Sequence, residues 1–161
     1  MINTAVLTIS DKGSEGKRED KSGPVIIEIL PQINAEKKYY KIIPDEIIKI
    51  KKELIKLSDR DDIDLILTTG GTGFAPRDVT PEATSKVMEK DAPGIAELMR
   101  LESIKITEKA ALSRAKSVIR NDTLIINLPG SPKAVKECLE AITSVIPHGI
   151  DILKGNVTEH N

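Results

Sequence analysis

Short apolar runs alternate along this chain with segments whose apolar residues return every three or four positions. The runs are Ala5-Val6-Leu7-Thr8-Ile9, Tyr39-Tyr40-Lys41-Ile42-Ile43, Leu65-Ile66-Leu67 and Leu124-Ile125-Ile126. Unbroken apolar stretches of this length fit strands covered on both faces, as parallel strands are. Between them lie Ile26, Ile29, Leu30 and Ile33, then Ile47, Ile50, Leu54 and Leu57, then Val135, Cys138, Leu139, Ile142, Val145 and Ile146. That spacing places one apolar stripe along each helix and turns it toward a core. The alternation predicts an α/β three-layer sandwich, with a mostly parallel central sheet and helices on both faces. Ser117 to Arg120, Asn121-Asp122 and Thr123 to Leu128 read as a hairpin, which adds at least one antiparallel pair.

Ser22, Thr80 and Ser131 are expected helix N-caps, and Pro81 and Pro132 follow the last two where a missing N–H costs nothing. Pro44 closes a strand before a helix. The stretch from Thr80 to Ser113 reads as two or three short helices broken at Asp91-Ala92-Pro93-Gly94. No repeat or linker interrupts the pattern, so one domain is expected over residues 1–157, with a polar tail at 158–161 that frays.

Composition narrows the functions. The chain has 161 residues, with 24 Lys and Arg against 25 Asp and Glu, a net charge of −1. Without excess positive charge, counterion release gives no drive toward nucleic acid. Tyr39, Tyr40 and Phe74 are too few and scattered for a base-stacking platform. Cys138 is the single cysteine, so neither a disulfide within the chain nor a cysteine-rich zinc site can form. It falls on an apolar stripe and reads as a core residue. No apolar run approaches the ~20 residues that span a bilayer, and the start of the chain lacks a signal-peptide pattern. The expectation is a soluble, cytoplasmic protein without nucleic-acid or membrane partners.

Three strands end in segments rich in glycine, serine, aspartate or proline: Ser10-Asp11-Lys12-Gly13, Gly70-Gly71-Thr72-Gly73 and Pro129-Gly130-Ser131-Pro132. One glycine turn after a strand is ordinary turn chemistry. Three at the carboxyl edge of an open α/β sheet point to one shared ligand crevice. Glycines at 70, 71 and 73 let backbone N–H groups approach an anion, and a helix starting near Thr80 aims its dipole at the same place. Neither a P-loop nor a G-x-G-x-x-G fingerprint is present. Arg77 beside Asp78 pairs a phosphate clamp with a hard oxygen ligand, the combination that holds a nucleotide and its magnesium; the plainer account is a surface ion pair. Asp45 is an N-cap by default and, at this edge, a candidate second carboxylate. Lys133 is a candidate anion ligand in the first turn after Ser131, with a solvated lysine as the alternative, and Lys12 carries the same ambiguity. His148 and His160 accompany no serine or cysteine motif, which leaves triad and zinc chemistry unsupported.

The run GGTGFAPRDVTPEA (70–83) resembles the signature loop of the molybdopterin adenylyltransferases of molybdenum-cofactor biosynthesis. LTISDKGSEGKREDKSGP, IIPDE, LSR, INLPGSPKAVKECL and HGIDIL are similar to further segments of that family, in the same order along nearly the whole chain. The resemblance implies an α/β domain that assembles as a homotrimer. It implies ATP- and Mg²⁺-dependent transfer of AMP to the terminal phosphate of molybdopterin, with hand-over of the product to a molybdenum insertase. On this resemblance Asp45 and Asp78 correspond to the two key carboxylates, which would hold the metal. Gly70, Gly71, Thr72 and Gly73 belong to the nucleotide site, and Ser10, Asp11, Pro129, Gly130 and Ser131 complete the pocket. Arg77 and Lys133 are the expected phosphate clamps. A non-catalytic carrier of pterin or nucleotide, the insertase itself and a plain interaction module remain the alternatives at this point.

Overall fold

The computed structural model describes residues 1–157. The expected polar tail at 158–161, His160 included, lies outside the described residues. Strands β1 (Ile2–Ile9), β2 (Ala35–Ile43), β3 (Leu65–Thr69), β4 (Lys90–Asp91), β5 (Ser117–Arg120) and β6 (Thr123–Leu128) form one sheet in the order β2-β1-β3-β6-β5-β4. The pairs β2·β1, β1·β3 and β3·β6 are parallel, whereas β6·β5 and β5·β4 are antiparallel. Around it lie helices α1 (Asp11–Ser14), α2 (Ser22–Ile29), α3 (Ile47–Ser58), α4 (Thr80–Ser85), α5 (Pro93–Ile104), α6 (Pro132–Ile142) and α7 (Ile146–Leu153). The expected hairpin at 117–128 is present. The two-residue strand β4 was not legible in the sequence, because both its residues are exposed and carry no apolar signal.

Alternation along the central strands divides the core in two. Val6, Leu65, Leu67, Leu124 and Ile126 pack against α2, α5, α6 and α7 on one face. Ala5, Leu7, Ile66 and Ile125 pack against α3 and α4 on the other. Nearly all the packing is aliphatic, as the scarcity of aromatics requires.

The edge strand β2 departs from expectation: its middle is exposed, and only Ala35 and Ile43 are buried. A register shift at Thr4/Ala5 leaves Lys38 unpaired between Lys37 and Tyr39. One extra residue reverses the side-chain faces beyond it. Ala35 therefore packs with the α2 face, while Tyr39 and Ile43 join the α3 face. Tyr39 Oη then donates to Glu53 Oε1 of α3 at 2.6 Å, and Lys41 Nζ reaches Glu53 Oε2 at 2.8 Å.

Ser131 caps α6 as expected, accepting from Ala134 N at 3.2 Å. Ser22 and Thr80 do not act as caps; each is the first helical residue, and Lys21 and Val79 stand at the cap positions without a side-chain bond. Both hydroxyls bond across the fold instead. Ser22 Oγ donates to Gly130 O at 2.7 Å and Thr80 Oγ1 to Gly70 O at 2.9 Å. Asp20 does the capping for α2, accepting from Ser22 N and Gly23 N. No described helix is long and apolar enough to cross a membrane.

Candidate active site

Because β1, β3 and β6 are adjacent and parallel, their carboxyl ends deliver the three marked loops to one edge of the sheet. The loops are tied together there. Gly70 N donates to Leu128 O at 3.3 Å, and Thr69 Oγ1 donates to Pro129 O at 2.6 Å. Gly70 and Gly71 adopt φ of +97° and +67°, a region costly for residues with a Cβ. A Cβ on Gly70 would collide with Ile9 O, and one on Gly71 with Thr80 Oγ1. Glycine is thus required where β3 turns into the loop.

Two carboxylates flank that loop. A Cβ on Gly71 would stand 3.2 Å from Asp45 Oδ1, and one on Gly73 would stand 2.9 Å from Asp78 Oδ2. Asp45 is not the N-cap of α3; Glu46 occupies that position. Instead Asp45 Oδ2 accepts from Asp11 N at 2.8 Å, and Asp45 N donates to Asp11 Oδ1 at 3.0 Å. Asp78 Oδ2 accepts from Ala75 N at 3.0 Å. Among the described residues, Oδ1 of each aspartate has no hydrogen-bond donor. Burial pushes the Asp45 carboxyl above the usual carboxylate range, and the charges of Asp11 and Asp78 push it the same way, against the Asp11 amide bond.

Arg77 does not pair with its neighbour Asp78. Its Nε and Nη2 make a bidentate contact with Asp11 Oδ2 and Oδ1, both at 2.9 Å, and that guanidinium holds the Asp11 carboxyl below its ordinary value. The pair sits at the rim, with the arginine side chain 63% exposed.

Two chambers open along this edge. One, of about 710 Å³, is lined by Ser10, Asp45, Gly70 and the 18–22 segment. The other, of about 420 Å³, is less polar and is lined by Thr72, Met99, Arg100, Leu112, Pro129 and Cys138 among others. Gly71, Asp78, Gly130 and Ser131 line both chambers, so Asp78 stands at their junction.

Of the residues singled out in the sequence, Ser10, Asp45, Gly70, Gly71, Thr72, Gly73, Asp78, Pro129, Gly130 and Ser131 line this double cleft. Asp11 and Arg77 brace its rim. Lys133 does not join it: the side chain is 82% exposed and stands 3.8 Å from Glu137. Sequence reasoning gave no role to Arg114, which grips the glycine-rich loop, or to Asp20. Asp20 accepts from Thr8 Oγ1 at 2.6 Å and Tyr40 Oη at 2.5 Å, fixing the 18–22 wall. These donors outweigh the burial that would raise its pKa, and the Tyr40 hydroxyl is pushed up to about 12 by burial and by Asp20. Both residues lie within runs quoted for the resemblance, LSR and EDKSGP, but nothing local marks their partners. Cys138 is buried as expected, in contact with Ser103 Oγ.

Fold and cleft together define an α/β domain whose double cleft sets a glycine-rich loop between two carboxylates, Asp45 and Asp78. Residues 5–148 match the family described as "Probable molybdopterin binding domain", and the chain belongs to that family. It is 49% identical to the molybdopterin adenylyltransferase of Helicobacter pylori, over 99% of this chain and 92% of that one. It is also 47% identical to the molybdenum cofactor synthesis protein cinnamon of Drosophila melanogaster, covering 98% of this chain but 26% of that protein. The solved structure of the molybdopterin biosynthesis enzyme MoaB from Thermus thermophilus superposes with a TM-score of 0.91 at 48% identity, over 96% of this chain and 98% of that one.

Proposed function

We propose that this chain is a molybdopterin adenylyltransferase, transferring AMP from ATP to the terminal phosphate of molybdopterin with release of pyrophosphate. The observation that carries the reading is the double cleft: two chambers meet at Asp78 and Gly71, where two bound reactants would present their phosphates to each other. The names of full-length relatives support the same activity.

In the reaction an oxygen of the pterin's phosphate attacks the α-phosphorus of ATP. A P–O bond forms there as the bond to the β-phosphate oxygen breaks, and the electron pair leaves with pyrophosphate. The attacking oxygen is already ionised near neutral pH, so no side chain need remove a proton. The main task is to align two polyanions and stabilise the charge that develops between them. The loop glycines give close access to the phosphates, and Arg77 is one cation near the rim, available by leaving Asp11. Among the described residues Asp45 and Asp78 each keep one oxygen without a hydrogen-bond partner, a donor set suited to Mg²⁺, which takes one or two carboxylates and completes its shell with water and substrate phosphates. Bound there, Mg²⁺ would offset phosphate charge. Among the described residues no three His, Cys, Asp or Glu side chains are arranged to hold a metal by themselves, so substrate phosphates and water would supply the rest of its shell. The reading also includes a homotrimer and delivery of the adenylylated product to a molybdenum insertase. The fusion of this unit into the longer cinnamon protein supports that link.

Incubation with molybdopterin, ATP and Mg²⁺ should yield adenylylated pterin and pyrophosphate in equal amounts. Asp78→Asn should lower kcat at least about tenfold while KM for molybdopterin stays within about threefold. Pterin binding by the wild type without product would overturn the enzymatic reading. Asp78→Asn turnover within about threefold of wild type would remove Asp78 from the mechanism.

A further inference from the structure

Arg114 lies between the η-turn Glu108–Leu112 and β5, in the part of the chain that leads into the antiparallel half of the sheet. Its backbone N donates to Thr72 O at 2.8 Å. Its side chain crosses behind the glycine-rich loop, where Nε donates to Gly73 O and Nη2 to Asp78 O, each at 2.7 Å, and Nη1 pairs with Glu82 Oε1. Gly73 and Asp78 are the two ends of the excursion formed by residues 74–77, all four of them exposed. That excursion has little else to hold it. Its own ties are Ala75 N to Asp78 Oδ2, Asp78 N to Ala75 O, and the rim pair of Arg77 with Asp11.

We infer that Arg114 is a positioning residue of the transfer site, whose guanidinium fixes the Asp78 carboxylate at the junction of the two chambers by closing both ends of the loop that carries it. The inference rests on the adenylyltransferase reading for its effect on turnover, and on geometry alone for its effect on the loop. A planar fork reaches three acceptors in fixed directions; an ammonium on a flexible stem serves one or two of them without setting their spacing. Lysine should therefore keep the charge and lose the function. Arg114 need not touch either reactant, because it acts through the main chain at 73 and 78.

A purely structural role would express itself through α4, since Glu82 lies in the first turn of that helix and its Oε2 is buried with no partner among the described residues. Glu82→Gln weakens the charged part of the clamp while leaving both loop carbonyls bonded, and so separates the two accounts. Three measurements on the intact protein decide: thermal stability, kcat and KM for each substrate, and backbone amide hydrogen exchange at Ala75 and Asp78. Arg114→Lys should lower kcat about tenfold or more, leave KM for molybdopterin within about threefold, and speed exchange at Ala75 and Asp78 while leaving Ile66 in the central strand protected. Glu82→Gln should keep kcat within about threefold even where its stability falls as far as that of Arg114→Lys. A folded Arg114→Lys protein with wild-type kcat and wild-type loop exchange would overturn the inference, as would an equal loss of kcat in Glu82→Gln. If the wild type itself forms no product, the adenylyltransferase reading fails, and unchanged loop exchange in Arg114→Lys would still separately refute the clamp.

Discussion

Gly71→Ala tests the loop geometry most directly, because two separable costs meet at that residue. The first is conformational: φ is +67°, and holding an L-residue there costs about 1–2 kcal/mol. The second is a collision between the new Cβ and Thr80 Oγ1, a fully buried hydroxyl that donates to Gly70 O at 2.9 Å. Relief requires the hydroxyl to turn away and give up that bond, at about 1–3 kcal/mol for a buried acceptor left unpaired. The single substitution should therefore destabilise the protein by about 2–5 kcal/mol. In a Thr80→Ala background the hydroxyl is already absent, so the same change should cost only the conformational part, and the double-mutant cycle should show a coupling of about 1–3 kcal/mol. Urea unfolding followed by far-ultraviolet circular dichroism, with slopes checked for equality, measures all four corners. A Gly71→Ala cost that agrees within about 0.5 kcal/mol in the two backgrounds would refute the collision. Turnover adds a further check: Asp45 Oδ1 stands 3.2 Å from the added methyl, so activity should stay depressed in the double variant even where the collision is gone.

Asp45→Asn should trade activity for stability. Burial, reinforced by Asp11 and Asp78, raises the Asp45 pKa in the folded state, so the folded protein holds this proton more tightly than the unfolded chain. The resulting stabilisation is present in acid and is lost as pH rises through the raised pKa. Asparagine can still accept from Asp11 N, so the variant's Tm should equal or exceed that of the wild type at pH 7.5, with the gap closing toward the ordinary carboxylate range; a lower Tm at pH 7.5 would contradict this. Glu53 behaves oppositely: burial would raise its pKa, but Lys41, Tyr39 and Lys56 together hold it below its usual value. Glu53→Gln should cost about 1–3 kcal/mol at pH 7, and the difference should fade as pH drops through the depressed pKa, as urea unfolding at pH 7 and pH 3 would show.

The layered α/β fold and the location of the cleft were legible because both rest on strong, local signals: apolar periodicity and glycine-rich strand ends. What could not be read was the use to which individual polar side chains are put. Ser22, Thr80 and Asp45 each have the chemistry and position of a helix cap, and each instead bonds to another loop, to Gly130 O, Gly70 O and Asp11 N respectively. A local rule has no access to such partners, because they lie 10 to 108 residues away along the chain. Arg77 is a similar case, since its neighbour Asp78 is the obvious partner and Asp11, 66 residues distant, is the actual one. Lys133 differs in the opposite way: it follows Ser131 in the sequence as expected, and on α6 its side chain stands beside Glu137 and in solvent, outside the cleft lining.

The scarcity of aromatic side chains has an optical consequence. The chain has no tryptophan, and its two tyrosines are consecutive on the edge strand β2, hydrogen-bonded to Glu53 and Asp20. Its single phenylalanine, Phe74, lies in the loop excursion beside the cleft and is 68% exposed. Ultraviolet emission from the native protein thus reports on β2 and is silent about the loop. A tryptophan placed at position 74 would be the only indole in the molecule, and its emission would follow the loop around Asp78 in real time without interference from the rest of the fold.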